Sequence, residues 1–227
     1  MEAFEGPATS GRREKGTFLL RRHRSPAVAG GDGKGVFRVR SASDVYKRQV
    51  HLTQGDLDTL FGAGYALTPK KDLSQPGQFA CMEKVEVVGP KSSLKMSILG
   101  PVRPETQIEV AKTDARALGI DAPLRMSGDL EGTPGCKIIG PKGEIEVQKG
   151  VIVAKRHAHM TPEQAVEYGV TDGEAVGLRL EYNDRALIFG DVIVRVSKTA
   201  GLAVHIDTDE ANAAGLTGTV DGEIVKF

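Results

Sequence analysis

The 227-residue sequence is poor in aromatic residues and in cysteine. Trp is absent, and aromatic residues make up 5% of the chain, which argues against a surface that stacks nucleic-acid bases on aromatic rings. The two cysteines, Cys81 and Cys136, lie too far apart in the chain to form a C-x-x-C pair. We interpret them as small hydrophobic side chains of a protein in a reducing compartment.

Long hydrophobic runs are also missing from the sequence. No stretch of about 18 apolar residues occurs, so no membrane-spanning helix is expected. The first residues lack the apolar core of a secretory signal. We therefore expect a cytoplasmic protein that acts away from the membrane, and its composition of 40% hydrophobic and 26% charged residues is typical of a globular domain.

Charge is balanced over the whole chain but unevenly distributed along it. Residues 1–48 contain eleven Lys and Arg against five Asp and Glu, a net charge of +6, and the remaining residues carry −6. Residues 1–48 have neither helical nor strand periodicity, and their AVAGGDGKG stretch has the composition of a flexible linker. We predict that residues 1–48 are a disordered or non-native basic tail outside the fold.

From residue 49 onward, short apolar runs alternate with turn signals such as Gly140-Pro141-Lys142-Gly143. This pattern predicts a mostly β fold with a few short helices. One helix start is marked by Thr161-Pro162-Glu163-Gln164, which combines a capping box with Pro in the first turn.

The sequence also repeats two blocks in the same order, which indicates a duplicated unit. The matched blocks are RQVHLTQGDL (48–57) with RHAHMTPEQA (156–165), and TQIEVAKTDARALGI (106–120) with LAVHIDTDEANAAGL (202–216). We predict two domains related by this repeat, residues 49–150 and residues 151–227, and short strands at this spacing are typical of β-barrels or β-sandwiches.

The spacing of the histidines in the sequence predicts a metal site. His157 and His159 are two residues apart on a predicted strand, so both imidazoles would project from the same face. Zinc or a similar ion needs three or four N, O or S donors, and His205 in the second matched block offers the third. In the first half, His51 aligns with His159 and Glu109 aligns with His205. We therefore predict a second donor set there, and hence two metal ions close together.

The first donor set has a weak point. Gln49 is the residue aligned with His157, and the first site is therefore expected to be incomplete, because Gln is a rare ligand of zinc. The alternative interpretation of an H-x-H pair on a strand is two ordinary surface histidines.

Two basic features are candidates for binding an anion. Arg103 precedes Glu109 by six residues, and a guanidinium beside a metal pair is suited to phosphate. The sequence is equally consistent with Arg103 being a solvent-exposed arginine that binds no ligand. Lys70 and Lys71 lie in a predicted loop and could hold a phosphorylated ligand, although solvated loop lysines are common.

Several longer motifs resemble one known family. HLTQGDLDTLFGAGYALTPKKDLSQPGQFA, LGPVRPETQIE, KRHAHMTPEQA and HIDTDEANAA resemble the phosphate propanoyltransferases, the phosphotransacylases of the propanediol-utilisation type, over about residues 50–227. The resemblance implies a phosphate acyltransferase that interconverts propanoyl- or acetyl-CoA plus phosphate with acyl phosphate plus CoA. It also implies two β-barrels with short helices and a dinuclear zinc site between them.

The resemblance assigns roles to individual residues. It implies one zinc ion on His51 and Glu109, and a second on His157, His159 and His205. Arg103 matches the arginine that positions phosphate, and Lys70 and Asn212 match positions near the CoA. Where the family has N-R-H-V-H-L-T, this chain has Gln49 in place of the first histidine.

Alternatives remain open at this level. A metal-dependent thioester hydrolase would use water as the acceptor, and a non-catalytic barrel module would bind a ligand without turnover. Acyl transfer could be direct, or it could pass through an acyl-cysteine. The sequence leaves open a homo-oligomer, and the resemblance adds a bacterial microcompartment as an alternative location.

Overall fold

The computed structural model describes part of the chain: residues 37–41, 48–182, 184–216 and 220–227. All of these lie within a single unit, Lys34–Phe227. Most of the predicted basic tail, residues 1–36 and 42–47, lies outside the described residues. Residues 37–41 are described by their backbone, which forms a strand that the prediction for residues 1–48 did not include.

The described residues form fifteen strands and four short helices, which confirms the prediction of a mostly β fold with short helices. The strands are β1 (Phe37–Ser41), β2 (Gln49–His51), β3 (Pro69–Asp72), β4 (Phe79–Val88), β5 (Ser93–Gly100), β6 (Gln107–Glu109), β7 (Leu124–Arg125), β8 (Cys136–Ile139), β9 (Glu144–Val147), β10 (Val151–Ala154), β11 (His157–Met160), β12 (Ala175–Tyr182), β13 (Arg185–Val196), β14 (Ala203–His205) and β15 (Val220–Val225). The helices are α1 (Gln54–Phe61), α2 (Lys112–Leu118), α3 (Pro162–Glu167) and α4 (Thr208–Ala213).

The strands form two sheets. One has nine strands in the order β7-β10-β6-β2-β5-β4-β8-β9, with β3 paired to β4. The other has six strands in the order β1-β15-β12-β13-β11-β14. Alternation along β4 explains how a sheet face is buried: Cys81, Val85 and Val87 are buried, while Met82 and Glu86 between them are exposed.

Each sheet has its own hydrophobic core. Ile98, Ile108 and Leu118 are fully buried in the core of the nine-stranded sheet. Met160 and Val194 are fully buried in the core of the six-stranded sheet. Burial of aliphatic side chains on this scale is the main favourable term in folding.

Two short strands have the same surroundings in their respective sheets. β2 lies between β6, which is antiparallel to it, and β5, which is parallel. β11 lies between β14, which is antiparallel, and β13, which is parallel. Each of the two strands leads directly into a helix whose first turn is capped by a threonine side chain, Thr53 for α1 and Thr161 for α3.

Strand β10 begins where the predicted second domain begins, yet it pairs with β6 and β7 of the nine-stranded sheet. The division into domains at residue 150 stays a prediction. Among the described residues, no helix has both the length and the apolar content needed to cross a membrane.

The capping box of α3 supports a testable prediction about stability. The Thr161 side chain accepts a hydrogen bond from the Gln164 backbone N–H, and the Gln164 side chain accepts one from the Thr161 N–H. We expect Thr161→Ala to lower the free energy of unfolding by about 1 kcal/mol, because it leaves a helix donor without its partner. The midpoint of urea unfolding measures the change.

The matched control for this experiment is Val166→Ala in the same helix. The Val166 side chain is 82% exposed, so its truncation should cost no more than about 0.5 kcal/mol. Equal losses in the two variants would contradict the role assigned to the cap.

Candidate active site

The pairing of β11 with β14 brings three histidines together. His157 on β11 lies directly opposite His205 on the antiparallel β14. His159 follows two residues later on β11, so its side chain points to the same face. The ring centroids of the three imidazoles are 4.8–5.1 Å apart, and one ligand nitrogen from each lies within 4.8 Å of the others.

This histidine cluster could hold a metal ion. Zn–N bonds of about 2.0–2.1 Å put the nitrogens of a tetrahedral site roughly 3.4 Å apart, so small side-chain rotations would complete the geometry. Burial lowers the pKa of His157 to about 4 and that of His159 to about 3, and it places the pKa of His205 well below its usual value. The imidazoles are therefore neutral at pH 7, which is the form that binds metals.

Hydrogen bonds orient two of these rings. His157 Nδ1 donates to the backbone carbonyl of Lys155 at 2.7 Å, which leaves the lone pair of the neutral ring on Nε2. Such a bond from the non-ligating nitrogen commonly fixes metal-binding histidines. His205 Nε2 lies 3.0 Å from the hydroxyl of Ser74, a residue of the loop between β3 and β4.

The predicted first donor set occupies the corresponding strands of the nine-stranded sheet. Gln49 on β2 lies opposite Glu109 on β6, and His51 lies opposite Gln107. The side chains of Gln49 and Gln107 both donate hydrogen bonds to the Glu109 carboxylate. His51 Nε2 lies 3.9 Å from Glu109 Oε1. All four side chains are buried.

His51 offers a buried imidazole that fits a metal ligand. The residue is 1% exposed, and Nε2 is the ring nitrogen that lies near the Glu109 carboxylate. Burial, and then the positive charge of Arg103, lower the pKa of His51 to about 3, so the ring is neutral. Nε2 of this neutral ring lies 3.9 Å from Glu109 Oε1, which is too far for a hydrogen bond, and an ion between the two atoms would have one nitrogen and one oxygen donor.

One cleft of about 710 Å³ joins the two donor sets. It is lined by all five predicted metal ligands together with Arg103 and Lys70: His51, Lys70, Arg103, Glu109, His157, His159 and His205. Asn212 is the predicted site residue that does not line the cleft. It is exposed on α4.

Arg103 is anchored at the edge of the first donor set. Its backbone N–H donates to the carbonyl of Leu52 at 2.8 Å, and its guanidinium donates to the Ser127 hydroxyl at 3.2 Å. Ser127 also accepts from Gln107, and the next residue, Gly128, donates its N–H to the same Gln107 side chain. The segment that follows β7 therefore connects Arg103 to the residues around Glu109.

A loop that includes Ser74 closes one side of the cleft against the six-stranded sheet. The buried Gln75 side chain donates to the carbonyl of Gly201 at 2.9 Å and accepts from its N–H at 3.2 Å. A Cβ at Gly201 would collide with the Ser74 carbonyl. This two-point contact holds the loop beside β14, the strand that ends at His205.

Sequence reasoning missed several cleft residues. Ser74, Ser127 and Arg195 line the cleft, but none of them lies in a matched block. A partial signal for Arg195 was available, because it is a charged residue within the apolar run Val192–Val196.

Comparisons with known proteins identify the family. A family model described as phosphate propanoyltransferase matches residues 42–217. A phosphate propanoyltransferase of Thermotoga maritima is 56% identical over 184 residues, which are 81% of this chain and 88% of that protein. One of Salmonella typhimurium is 51% identical over 172 residues, 75% and 81% of the two chains. One of Leptotrichia buccalis is 45% identical over 207 residues, 90% and 95% of the two chains. The chain therefore belongs to the phosphate propanoyltransferase family, a family of acyltransferase enzymes.

Proposed function

We propose that this chain is a phosphotransacylase that interconverts propanoyl- or acetyl-CoA plus phosphate with acyl phosphate plus CoA. The observation that carries the proposal is that one cleft is lined by Arg103 and Lys70 together with both sets of donor side chains. Cations near the donor sets suit a reaction between two anionic substrates, because they offset the repulsion between phosphate and CoA.

We also propose that the cleft holds two zinc ions. His157, His159 and His205 would bind one of them, and His51 and Glu109 the other. Support comes from the register of the strands, since Gln49 faces Glu109 as His157 faces His205. Glu109 and His205 also line one small pocket, which supports a close approach of the two donor sets.

An internal repeat that relates the two halves is part of this proposal. Arg48 and Arg156, which align in the first block, form ion pairs with Asp114 at 2.7 Å and Glu210 at 2.8 Å. Those two acidic residues align in the second block.

Contact between aligned positions gives further support to the repeat. The Thr113 N–H at the start of α2 donates to the carboxylate of Asp209 in α4, and these two positions align with each other. Contact between equivalent positions is what a pseudo-twofold axis between the halves would produce.

The chain's own residues would carry the mechanism as follows. Zinc, when bound, supplies Lewis-acid stabilisation of the thioester carbonyl and the departing thiolate. Arg103 holds phosphate in place for attack on the thioester carbonyl, which reduces the entropic cost of bringing two substrates together. The exposed Lys70 binds the phosphates of CoA at the rim, and Asn212 contacts the part of CoA that extends beyond the cleft.

Direct transfer to phosphate is favoured over an acyl-cysteine route. Burial and the nearby Glu83 raise the pKa of the Cys81 thiol to about 11, and burial raises that of Cys136 to about 12. Both thiols are therefore protonated at pH 7, and the thiolate is the nucleophilic form. Cys81 lines the cleft, whereas Cys136 does not.

A thioester hydrolase would use the same metal chemistry with water as the acceptor. The two activities are separated by measuring CoA release from propanoyl-CoA and acetyl-CoA with and without phosphate. Release that requires phosphate and yields acyl phosphate supports the transacylase. Release at an unchanged rate without phosphate would identify a hydrolase.

The first prediction for this site concerns Arg103. We expect Arg103→Ala to reduce phosphate-dependent CoA release by at least about 100-fold, because the anion loses its charge-assisted hydrogen bonds in the transition state. Zinc content, measured by elemental analysis, should stay at the wild-type level. Arg103→Lys keeps the charge but not the paired donors and should give an intermediate rate. Loss of zinc from Arg103→Ala would show that the arginine supports the metal site instead.

The second prediction concerns the incomplete donor set. Gln49→His replaces an amide that bonds to Glu109 with an imidazole in the position that corresponds to His157. We expect it to raise both the bound zinc per chain and the rate of CoA release. Gln49→Asn, which supplies no imidazole, is the matched control and should bring no gain. Unchanged zinc content in Gln49→His would rule out the interpretation of an incomplete site.

The third prediction tests direct transfer. Cys81→Ala should retain phosphate-dependent turnover within a few-fold, since a protonated thiol contributes no nucleophile. Cys136→Ala, which removes the buried thiol outside the cleft, controls for the loss of packing. A drop of about 100-fold or more in Cys81→Ala alone, together with acylated wild-type protein in a rapid-quench experiment, would establish the covalent route.

A further inference from the structure

Arg195 is a second arginine in the cleft, beside the histidine cluster. β13 runs parallel to β11, and Arg195 lies next to His159 in the register of these strands. Val192 and Val194 of β13 are buried in the core, so Arg195 points to the opposite face, toward the cleft.

The charge of Arg195 is not balanced by a carboxylate. No Asp or Glu among the described residues forms an ion pair with it, whereas Arg48, Arg125, Arg156 and Arg179 each have an acidic partner. The residues that line the cleft include five cationic side chains and one acidic side chain. The cations are Lys70, Lys71, Lys84, Arg103 and Arg195, and the acid is Glu109. An unbalanced guanidinium in a partly buried site attracts an anion.

The corresponding position in the nine-stranded sheet has a different character. β5 runs parallel to β2 with Gln49 beside Ser97 and Val50 beside Ile98. One further step along this register leads to His51 and Leu99, the counterparts of His159 and Arg195. Leu99 is buried and lines the cleft. An arginine at this strand position is therefore found only beside the three histidines. The other cleft arginine, Arg103, lies at the edge of the first donor set.

We infer that Arg195 binds a phosphate-type oxyanion at the three-histidine side of the cleft, so that phosphate is held between Arg195 and Arg103. This inference rests on the proposed function. The half-buried position of Arg195 favours the small inorganic ion over the phosphates of CoA. Lys70 and Lys71 lie on strand β3 and not in the predicted loop, and their exposed side chains at the rim suit the larger substrate.

The direct test is calorimetric titration of inorganic phosphate into the metal-loaded protein. We expect Arg195→Gln to raise the Kd for phosphate by roughly tenfold or more, because a charge-assisted contact is lost. Arg195→Lys should fall between this variant and the wild type, since lysine cannot bind the ion with two parallel hydrogen bonds. Arg179→Gln, which removes an arginine from an exposed ion pair, is the matched control and should leave the Kd unchanged.

Measurements of KM for each substrate determine whether Arg195 binds inorganic phosphate or the phosphates of CoA. With Arg195→Gln, KM for phosphate should rise while KM for propanoyl-CoA and the zinc content stay unchanged. A Kd for phosphate equal to that of the wild type would overturn the inference. A rise confined to the KM for propanoyl-CoA would do the same and would assign Arg195 to CoA. If Arg195→Gln does not fold, the Kd of Arg195→Lys decides the matter, and a wild-type value for it contradicts the inference.

Failure of the proposed function would look different. A wild-type protein that binds phosphate through Arg195 yet releases no CoA from acyl-CoA would refute the transacylase proposal and leave the anion site intact. A wild-type protein that turns over with phosphate, but whose phosphate affinity does not depend on Arg195, would refute only the present inference.

Discussion

The cleft depends on the register of two short antiparallel strand pairs. In each pair only three or four residues are in strand conformation, and the pairing sets which side chains lie opposite one another. His157 meets His205 in one pair, and Gln49 meets Glu109 in the other. A slip by one residue would turn each of these side chains to the opposite face. The strands are held in place by neighbours on both sides and by capped helices that begin directly after β2 and β11.

Burial of polar groups around the cleft works against stability. Neutral imidazoles at positions 51, 157 and 205 are almost fully removed from water, and so are the side chains of Gln49, Gln107 and Glu109. Buried polar atoms cost free energy unless they are hydrogen-bonded. Part of this requirement is met by the hydrogen bonds that the Gln49 and Gln107 side chains donate to Glu109. The hydrogen bond from His157 to the Lys155 carbonyl meets another part. His51 Nε2, 3.9 Å from Glu109 Oε1, has no such hydrogen bond to this carboxylate, and an ion between the two atoms would supply the interaction.

Local patterns in the sequence were enough to predict part of this architecture. The spacing of His157 and His159, combined with strand alternation, predicted that their imidazoles share a face, and the matched block led to His205. Those three residues form a cluster. The mostly β fold and the capping box at Thr161 were likewise predictable, because each depends on residues close together in the chain.

The partners that complete the cleft are distant in sequence. Ser74 reaches His205 across 131 positions, and no local pattern encodes that contact. The same reason explains why the pairing of β10 with β6 and β7 was not predicted.

The two halves of the cleft share a backbone arrangement but differ in chemistry. Where one half has His205, the other has Glu109, and where one has Arg195, the neighbouring strand of the other has Leu99. With a divalent ion on each side, the three-histidine half would carry the charge of the ion and of Arg195, since neutral imidazoles offset neither. In the other half, the Glu109 carboxylate would offset one positive charge, and Leu99 supplies an apolar wall. An anion between Arg195 and Arg103 would therefore be attracted from both sides, and the apolar wall better tolerates a neutral thioester carbonyl. If a duplicated unit gave rise to both halves, these few replacements are sufficient to make the two sides of the pocket chemically different.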